Sequence, residues 1–255
     1  MCSCFPRRAA TRRHDVTNPS QGVVIASFPK SGSTWVRFLV ANLFNEVSRE
    51  VEAVDFHTIH EIVPEIGRPD DRRLFREQPA VWKTHDEWRK GFDRAVLVLR
   101  NPWDTLLSFH HYMTGEWGRE ATLADVVTSG KHGASAVVRH AASYLDRCPD
   151  LLVLTYEALH ASPRPEVRRL ADFIGLDVTD DQVAAAIAGS SFDAMRESEA
   201  TKGRKYGGTG FRFMRQGAVG EGYAAISLDP ALDRHVRREL AKCPALDDLY
   251  ATFTP

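Results

Sequence analysis

Lys30, Ser31, Gly32, Ser33 and Thr34 stand between an apolar run, Val23-Val24-Ile25-Ala26, and a stretch whose apolar residues Val36, Leu39, Val40, Leu43, Phe44 and Val47 recur at helical spacing. A lysine, three hydroxyls and a glycine at a strand-to-helix corner make an anion site. The free N–H groups of the first helical turn point out of the helix end, where the dipole favours negative charge. Gly32 lets the backbone approach a ligand closely, and Lys30 adds a cation. Lys30 precedes the glycine, and no GxxxxGK[ST] run occurs in the chain, so this is a phosphate loop by mechanism and not the ATPase pattern.

Three more groups carry chemistry. In Ala80-Val81-Trp82-Lys83-Thr84-His85-Asp86 an apolar run ends in Lys83 and His85, two positions apart and so able to lean the same way. Ala95-Val96-Leu97-Val98-Leu99 ends in Arg100, an anion-gripping side chain, with Ser108 two turns into the following helix. A polar, Gly-rich stretch over 197–223 carries Lys202, Arg204, Lys205, Arg212 and Arg215 among aromatic residues and reads as a mobile loop. His57, His60 and Glu61 are close enough to share a helical face, but no second ligand set accompanies them, and no metal is expected.

These side chains need a scaffold. The runs at 23–26, 80–82, 95–99 and 151–154 are continuously apolar, as in parallel strands buried on both faces, and Thr155-Tyr156-Glu157 extends the last of them. Helical stretches alternate with them: around Trp103–His110, in the later part of 113–150, around Val167–Ile174 with Gly175 as its stop, and over 180–189. A basic amphipathic helix at Leu232–Leu240 is placed on the sheet edge. The expectation is an α/β fold with a doubly wound, mostly parallel sheet and helices on both faces. Ligands then gather at the carboxyl ends of the strands, where all three motifs lie.

The chain has 255 residues, enough for one large α/β domain, and 43% of them are apolar. A formal net charge of −1 provides no global field for nucleic acid or for an acidic membrane surface. No apolar run approaches the roughly 18 residues of a membrane span. Four cysteines, at positions 2, 4, 148 and 243, form neither a disulfide framework nor a zinc spacing, which fits the cytoplasm. Residues 1–20 read as a disordered basic arm, and 21–255 as a single domain.

The motifs resemble those of sulfotransferases that use 3′-phosphoadenosine-5′-phosphosulfate (PAPS). FPKSGSTW is similar to the family's 5′-phosphosulfate loop, which implies cofactor contacts from Lys30, Ser31, Gly32, Ser33, Thr34 and Trp35. KTH resembles the family's Lys-x-His, whose histidine is the general base; this maps onto His85, with Lys83 beside it. RNPWDTLLS resembles the 3′-phosphate site and implies Arg100 and Ser108. VLTYEALHASP and the Ser-Phe-x-x-Met segment imply Tyr156 and Phe192 near adenine. FMRQG resembles FMRKG, implying a 3′-phosphate clamp from Phe213, Met214, Arg215, Gln216 and Gly217, with Gln216 where the family has lysine.

The resemblance implies transfer of a sulfuryl group from PAPS to a hydroxyl, or secondarily an amine, of a small-molecule acceptor, leaving 3′-phosphoadenosine 5′-phosphate (PAP). His85, Lys30 and Lys83 would be the catalytic groups, no metal is needed, and neither nucleic acid nor a membrane is a partner. The Ala- and Arg-rich usage suggests a high-GC bacterial source, where such enzymes tailor secondary metabolites. Asp86, Glu87 and Trp88 hint at a cationic or amphipathic acceptor, and segments 49–79, 86–93 and 109–135 are assigned to its pocket. The residues alone leave open an atypical P-loop kinase or nucleotide hydrolase and a non-catalytic nucleotide-binding module.

Overall fold

A computed structural model describes residues 22–68, 74–75, 77–207 and 210–250. The basic arm assigned to 1–20 lies outside the described residues. Four strands, β1 (Val23–Ala26), β2 (Val81–Thr84), β3 (Arg94–Leu99) and β4 (Asp150–Thr155), form one sheet in the order β2-β1-β3-β4, with every pairing parallel. The first connections carry α1 (Ser33–Ser48) and the short α2 (Ile59–Ile62). Between β3 and β4 lie α3 (Pro102–Glu116), α4 (Leu123–Thr128) and α5 (Ala134–Leu145). After β4 come α6 (Tyr156–Ala161), α7 (Pro163–Ile174), α8 (Asp180–Gly189), α9 (Phe192–Lys202), α10 (Glu221–Ile226), α11 (Pro230–Leu240) and α12 (Pro244–Tyr250).

Side chains along β1 alternate between two cores. Val23 and Ile25 pack with Val36, Leu39 and Phe44 of α1 and Leu170 of α7. Val24 and Ala26 pack with Trp103, Leu106 and Phe109 of α3 and with Tyr144 of α5. Strands covered on both faces must be apolar throughout, which is why these runs show no polar alternation. The doubly wound parallel sheet anticipated from the alternating runs is therefore present.

The register carries the motifs to one edge. Ala26 is level with Thr84 of β2 and with Leu97 of β3. The loop after β1, the Lys83–His85 pair and Arg100 thus emerge side by side at the carboxyl end, where the winding diverges on either side of β1.

Four boundaries differ from the sequence reading. The stretch 197–223 is not all loop: α9 continues to Lys202 and α10 starts at Glu221, because Ser191 caps α9 through the Ala194 N–H at 3.2 Å and its helix runs on to Gly203. Tyr156 does not end a strand but opens α6, capped by the Thr155 hydroxyl. α3 persists to Glu116, and a capping box at Thr122 and Asp125 starts α4. The basic amphipathic helix is α11, and it packs against α5 and α4 instead of the sheet edge.

Candidate active site

At the carboxyl edge of the sheet a cavity of about 940 Å³ opens, reached by residues from β1's loop, β2, α3, α6, α9 and the segment 203–220. The loop after β1 is shaped by its backbone. The Ser31 N–H donates to the Phe28 carbonyl at 3.2 Å, closing a turn with Pro29 and Lys30 at its centre. Lys30 sits at φ 73, a left-handed conformation unusual outside glycine. Gly32, at φ 103, caps α1, and a Cβ there would come within 2.8 Å of the Tyr156 ring. Lys30, Gly32, Ser33, Thr34 and Trp35 line the cavity. Ser31 does not: the turn carries it into the interior, where it borders a small void beside Phe28 and His140. Its side chain thus stands apart from the neighbours of which cofactor contacts are expected.

Lys30 projects into a cluster of rings and charges. Its Nζ lies 3.7 Å from the Phe213 centroid and 4.7 Å from that of Tyr112. Burial, then the positive charges of Arg100 and Arg204, bring its pKa from 10.5 down to about 7, with Glu116 and Glu199 opposing.

His85 and Lys83 reach the same cavity. The Nδ1 of His85 is 2.7 Å from the Ser27 carbonyl. A carbonyl only accepts, so Nδ1 carries the proton and the Nε2 lone pair is left free. Burial first, and then the Lys83 charge, lower this imidazole to about 3, so it is neutral at physiological pH. Lys83 Nζ is held 2.8 Å from Glu65 Oε1. Its pKa falls to about 8 through burial, against the pull of Glu65.

Arg100, at the end of β3, donates from Nη2 to the Ala218 carbonyl at 2.8 Å, approaches Asp104 at 3.6 Å and places its guanidinium 4.5 Å from the Tyr156 ring centroid. Its Nε is buried without a hydrogen-bond partner among the described residues. Ser108 lines the cavity from α3. Asn101 holds this corner together. Its side chain caps α3 at Asp104, while its N–H and Nδ2 each donate to Glu157 at 2.9 Å.

Tyr156, Phe192, Phe213, Met214, Arg215, Gln216 and Gly217 all face the cavity. The Tyr156 hydroxyl donates to the Gly217 carbonyl at 2.6 Å, and Trp35 meets the Tyr156 ring edge-on at 5.3 Å. A Cβ at Gly217 would come within 2.8 Å of Phe192. Arg215 pairs with Glu221 and is bonded to the Gln216 side-chain oxygen.

Several residues in or behind the cavity wall carried no signal in the sequence. Glu199 on α9 accepts the N–H groups of Phe213 and Met214 at 2.7 and 2.8 Å, and with Glu116 of α3 it brackets Arg204 at 3.3 and 2.8 Å. Arg37 of α1 is buried and donates to the carbonyls of Ile59 and Val63 and to His60, fixing α2 beside the cavity. Nothing in the local pattern sets these residues apart from the other polar residues of their helices, and only long-range pairing reveals them.

Segments 49–79 and 109–135 do contribute to the cavity, through Phe56, His60, Tyr112 and Trp117 among others. Segment 86–93 does not. Glu87 pairs with Arg139 of α5 at 2.6 Å, the Trp88 backbone N–H donates to Ser143 at 2.8 Å and its indole N–H donates to the Phe92 carbonyl at 2.9 Å, so these residues are engaged away from the cavity and give no guide to an acceptor. His57, His60 and Glu61 turn to separate partners: the Lys202 carbonyl, Arg37 and Lys205. Among the described residues no group of three or more His, Cys, Asp or Glu is arranged to hold a metal ion, and no helix is long and apolar enough to cross a membrane.

The chain is 28% identical to cytosolic sulfotransferase 16 of Arabidopsis thaliana over 71% of its own length and 62% of the relative's. It is 23% identical to sulfotransferase 6B1 of Danio rerio, over 85% and 76%. The fold matches a crystal structure of retinol dehydratase in complex with retinol and PAP, with a TM-score of 0.64 at 18% identity, covering 93% of this chain and 83% of that one. It also matches mouse sulfotransferase SULT7A1 complexed with PAP, with a TM-score of 0.62 at 17% identity over 88% and 84%. The family model for the sulfotransferase domain spans residues 20–243, and the chain therefore belongs to the sulfotransferase domain family.

Proposed function

We propose that this protein is a sulfotransferase that moves a sulfuryl group from PAPS to a hydroxyl of a small-molecule acceptor, with residues 21–255 acting as one catalytic unit. The observation that carries this reading is the shared cavity of Lys30, Arg100 and His85. The PAP held by two proteins of the same fold supports the nucleotide assignment. The residues suit a ligand with several anionic groups. Arg100 has a buried Nε–H without a partner among the described residues, Arg215 faces the same cavity, and Gly32 and Gly217 are so closely packed that only backbone fits. The Tyr156, Trp35 and Phe192 rings offer apolar surface for a base. The relatives' description as cytosolic supports a cytoplasmic site of action.

PAPS supplies a sulfuryl group activated by its attachment to a 5′-phosphate. In the proposed mechanism the chain's own groups do the rest. His85 accepts the hydroxyl proton on Nε2 as the acceptor oxygen bonds to sulfur. The bond from sulfur to the phosphate oxygen breaks, and its electron pair stays with PAP. Lys30, the first-turn N–H groups of α1 and Lys83 stabilise the negative charge that develops on that oxygen. Arg100, Ser108 and Arg215 hold the 3′-phosphate, with the Phe213–Gly217 segment closing over it. Sulfuryl transfer by this route uses fixed charge and requires no metal. Aromatic walls at Phe56, Tyr112 and Trp117 suit an acceptor with an apolar body, and a secondary metabolite fits that description.

Calorimetry with PAP in magnesium-free buffer, followed by a transfer assay from PAPS to a panel of phenols and alcohols, tests the proposal. Binding of PAP without magnesium and formation of a sulfate ester are expected. Binding of ATP with magnesium and not PAP would overturn it in favour of a kinase or nucleotide hydrolase.

A further inference from the structure

Glu65 has no part in the scheme above, yet it sits in the same cavity wall as Lys83 and His85. The backbone puts it there. Residues 64–66 run alongside β2: Lys83 N–H donates to the Pro64 carbonyl at 2.9 Å, Ile66 N–H donates to the Lys83 carbonyl at 2.8 Å, and Glu65 forms a parallel bridge with Lys83. Both carboxylate oxygens are engaged, Oε1 with Lys83 Nζ at 2.8 Å and Oε2 with Arg68 Nε at 3.0 Å. With a cation against each oxygen the carboxylate is a weak base, poorly suited to deprotonating an acceptor, and its charge is already matched. What it can do is fix its partners.

We propose that Glu65 is a positioning residue for the transfer reaction, its carboxylate clamped between Lys83 and Arg68 so that the Lys83 ammonium is held charged and pointed into the cavity beside His85. This rests on the sulfotransferase reading of the site. The charges facing Lys83 make the clamp necessary. Arg37 from α1 and Arg68 from the segment beside β2 are both cationic, the imidazole of His85 lies two residues on, just past the end of β2, and His140 of α5 stands behind it. Glu65 is the acidic group that opposes them. Without it, a buried ammonium among guanidinium groups would lose its proton, and a neutral amine beside His85 could not stabilise a leaving phosphate oxygen.

The decisive variant is Glu65→Gln, which keeps shape and removes charge, with Glu65→Asp as the conservative partner. Carbon-13 NMR of lysine-labelled full-length protein, with the Lys83 signal assigned through Lys83→Arg, reads the ammonium directly and needs neither PAPS nor acceptor. In Glu65→Gln the Lys83 titration should move down by about one pH unit or more, and Glu65→Asp should return most of it. In the transfer assay kcat should fall about fivefold near pH 8, with the alkaline limb displaced to lower pH and KM for PAPS little changed. Combining Glu65→Gln with Lys83→Arg should restore that limb, because a guanidinium stays charged. An unmoved Lys83 titration, or a loss of rate uniform across pH and accompanied by a lower Tm, would overturn the clamp and leave Glu65 a structural residue. If the wild-type chain transfers no sulfuryl group, the functional reading fails, and the NMR titration still decides the clamp.

Discussion

The ammonium of Lys30 lies 3.7 Å from the centre of the Phe213 ring, although 183 positions separate the two residues in the chain. The first belongs to the strand-to-helix loop at the start of the sheet. The second belongs to the segment that returns over the cavity after α9. Their contact closes the site and places a lysine in surroundings that weaken its hold on a proton.

That proton gives a pH signature. Lys30 is lowered to about 7 in the folded chain, below its ordinary 10.5, so above pH 7 the unfolded chain binds more protons at this position. The contribution of this group to stability therefore rises with pH across the interval. Lys30→Met, free of the buried charge, should be favoured over wild type at about pH 7, with the advantage shrinking toward about pH 10. Thermal unfolding of both proteins across this range provides the check, and a constant difference would show a well-solvated ammonium.

Anion binding should restore the charge. PAP placed against Lys30 and Arg100 would raise the Lys30 pKa, so complex formation near pH 8 should take up protons. Calorimetry in buffers of different ionisation enthalpy measures the number, expected to approach one and to vanish in Lys30→Met. In turnover, Lys30→Ala should impair kcat more than PAPS affinity; a pure affinity defect would remove Lys30 from the chemical step.

His85→Ala should abolish transfer, a loss of about 10²-fold or more, while leaving PAP affinity within a few-fold of wild type. The ring's Nδ1 is committed to the Ser27 carbonyl, so the variant loses both the base and a buried hydrogen bond. Residual turnover at wild-type rate would exclude His85 as the proton acceptor.

Glu199→Ala should loosen the cover of the cavity. It leaves the N–H groups of Phe213 and Met214 and part of Arg204 unpaired. These groups are half-buried, so a cost of about 1 kcal/mol for each one left unsatisfied predicts a lower Tm and faster proteolytic cleavage within 203–217. PAP affinity should fall with it, and unchanged cleavage kinetics would show that the segment is held elsewhere.

Gln216→Lys should tighten PAP by up to about fivefold through one added, partly exposed charge. The gain is limited because Gln216 now bonds Arg215, which in turn pairs with Glu221, and a lysine would give up the first of these contacts. Unchanged affinity in titration calorimetry would mean that position 216 does not approach the phosphate.

The motifs and the sheet were legible because both are local. A short apolar run that stops at a polar or Gly/Pro-containing loop with a helical pattern after it reads as a covered strand, and FPKSGSTW, KTH and RNPWDTLLS each lie at the end of one. Ser31 is the exception within a motif, since which side chain of a tight turn faces the ligand depends on the φ of its neighbour Lys30. The helical start of 197–223 was not legible for a related reason. The run Glu197–Lys202 is polar, but it carries Glu199 toward Arg204 and the Phe213 backbone, and those contacts favour helix where composition favours loop.

By itself the sequence determined that four apolar runs would line up as a parallel sheet with anion-binding side chains at their ends, because strand burial and helix-terminus chemistry are read from neighbouring residues. Only the tertiary structure decided how those side chains are charged and aimed. Lys30 against Phe213, Lys83 against Glu65 and Arg204 between Glu116 and Glu199 join residues from different elements. An ionisable group's proton affinity follows from the dielectric and the charges packed around it, and these do not exist until the chain has folded.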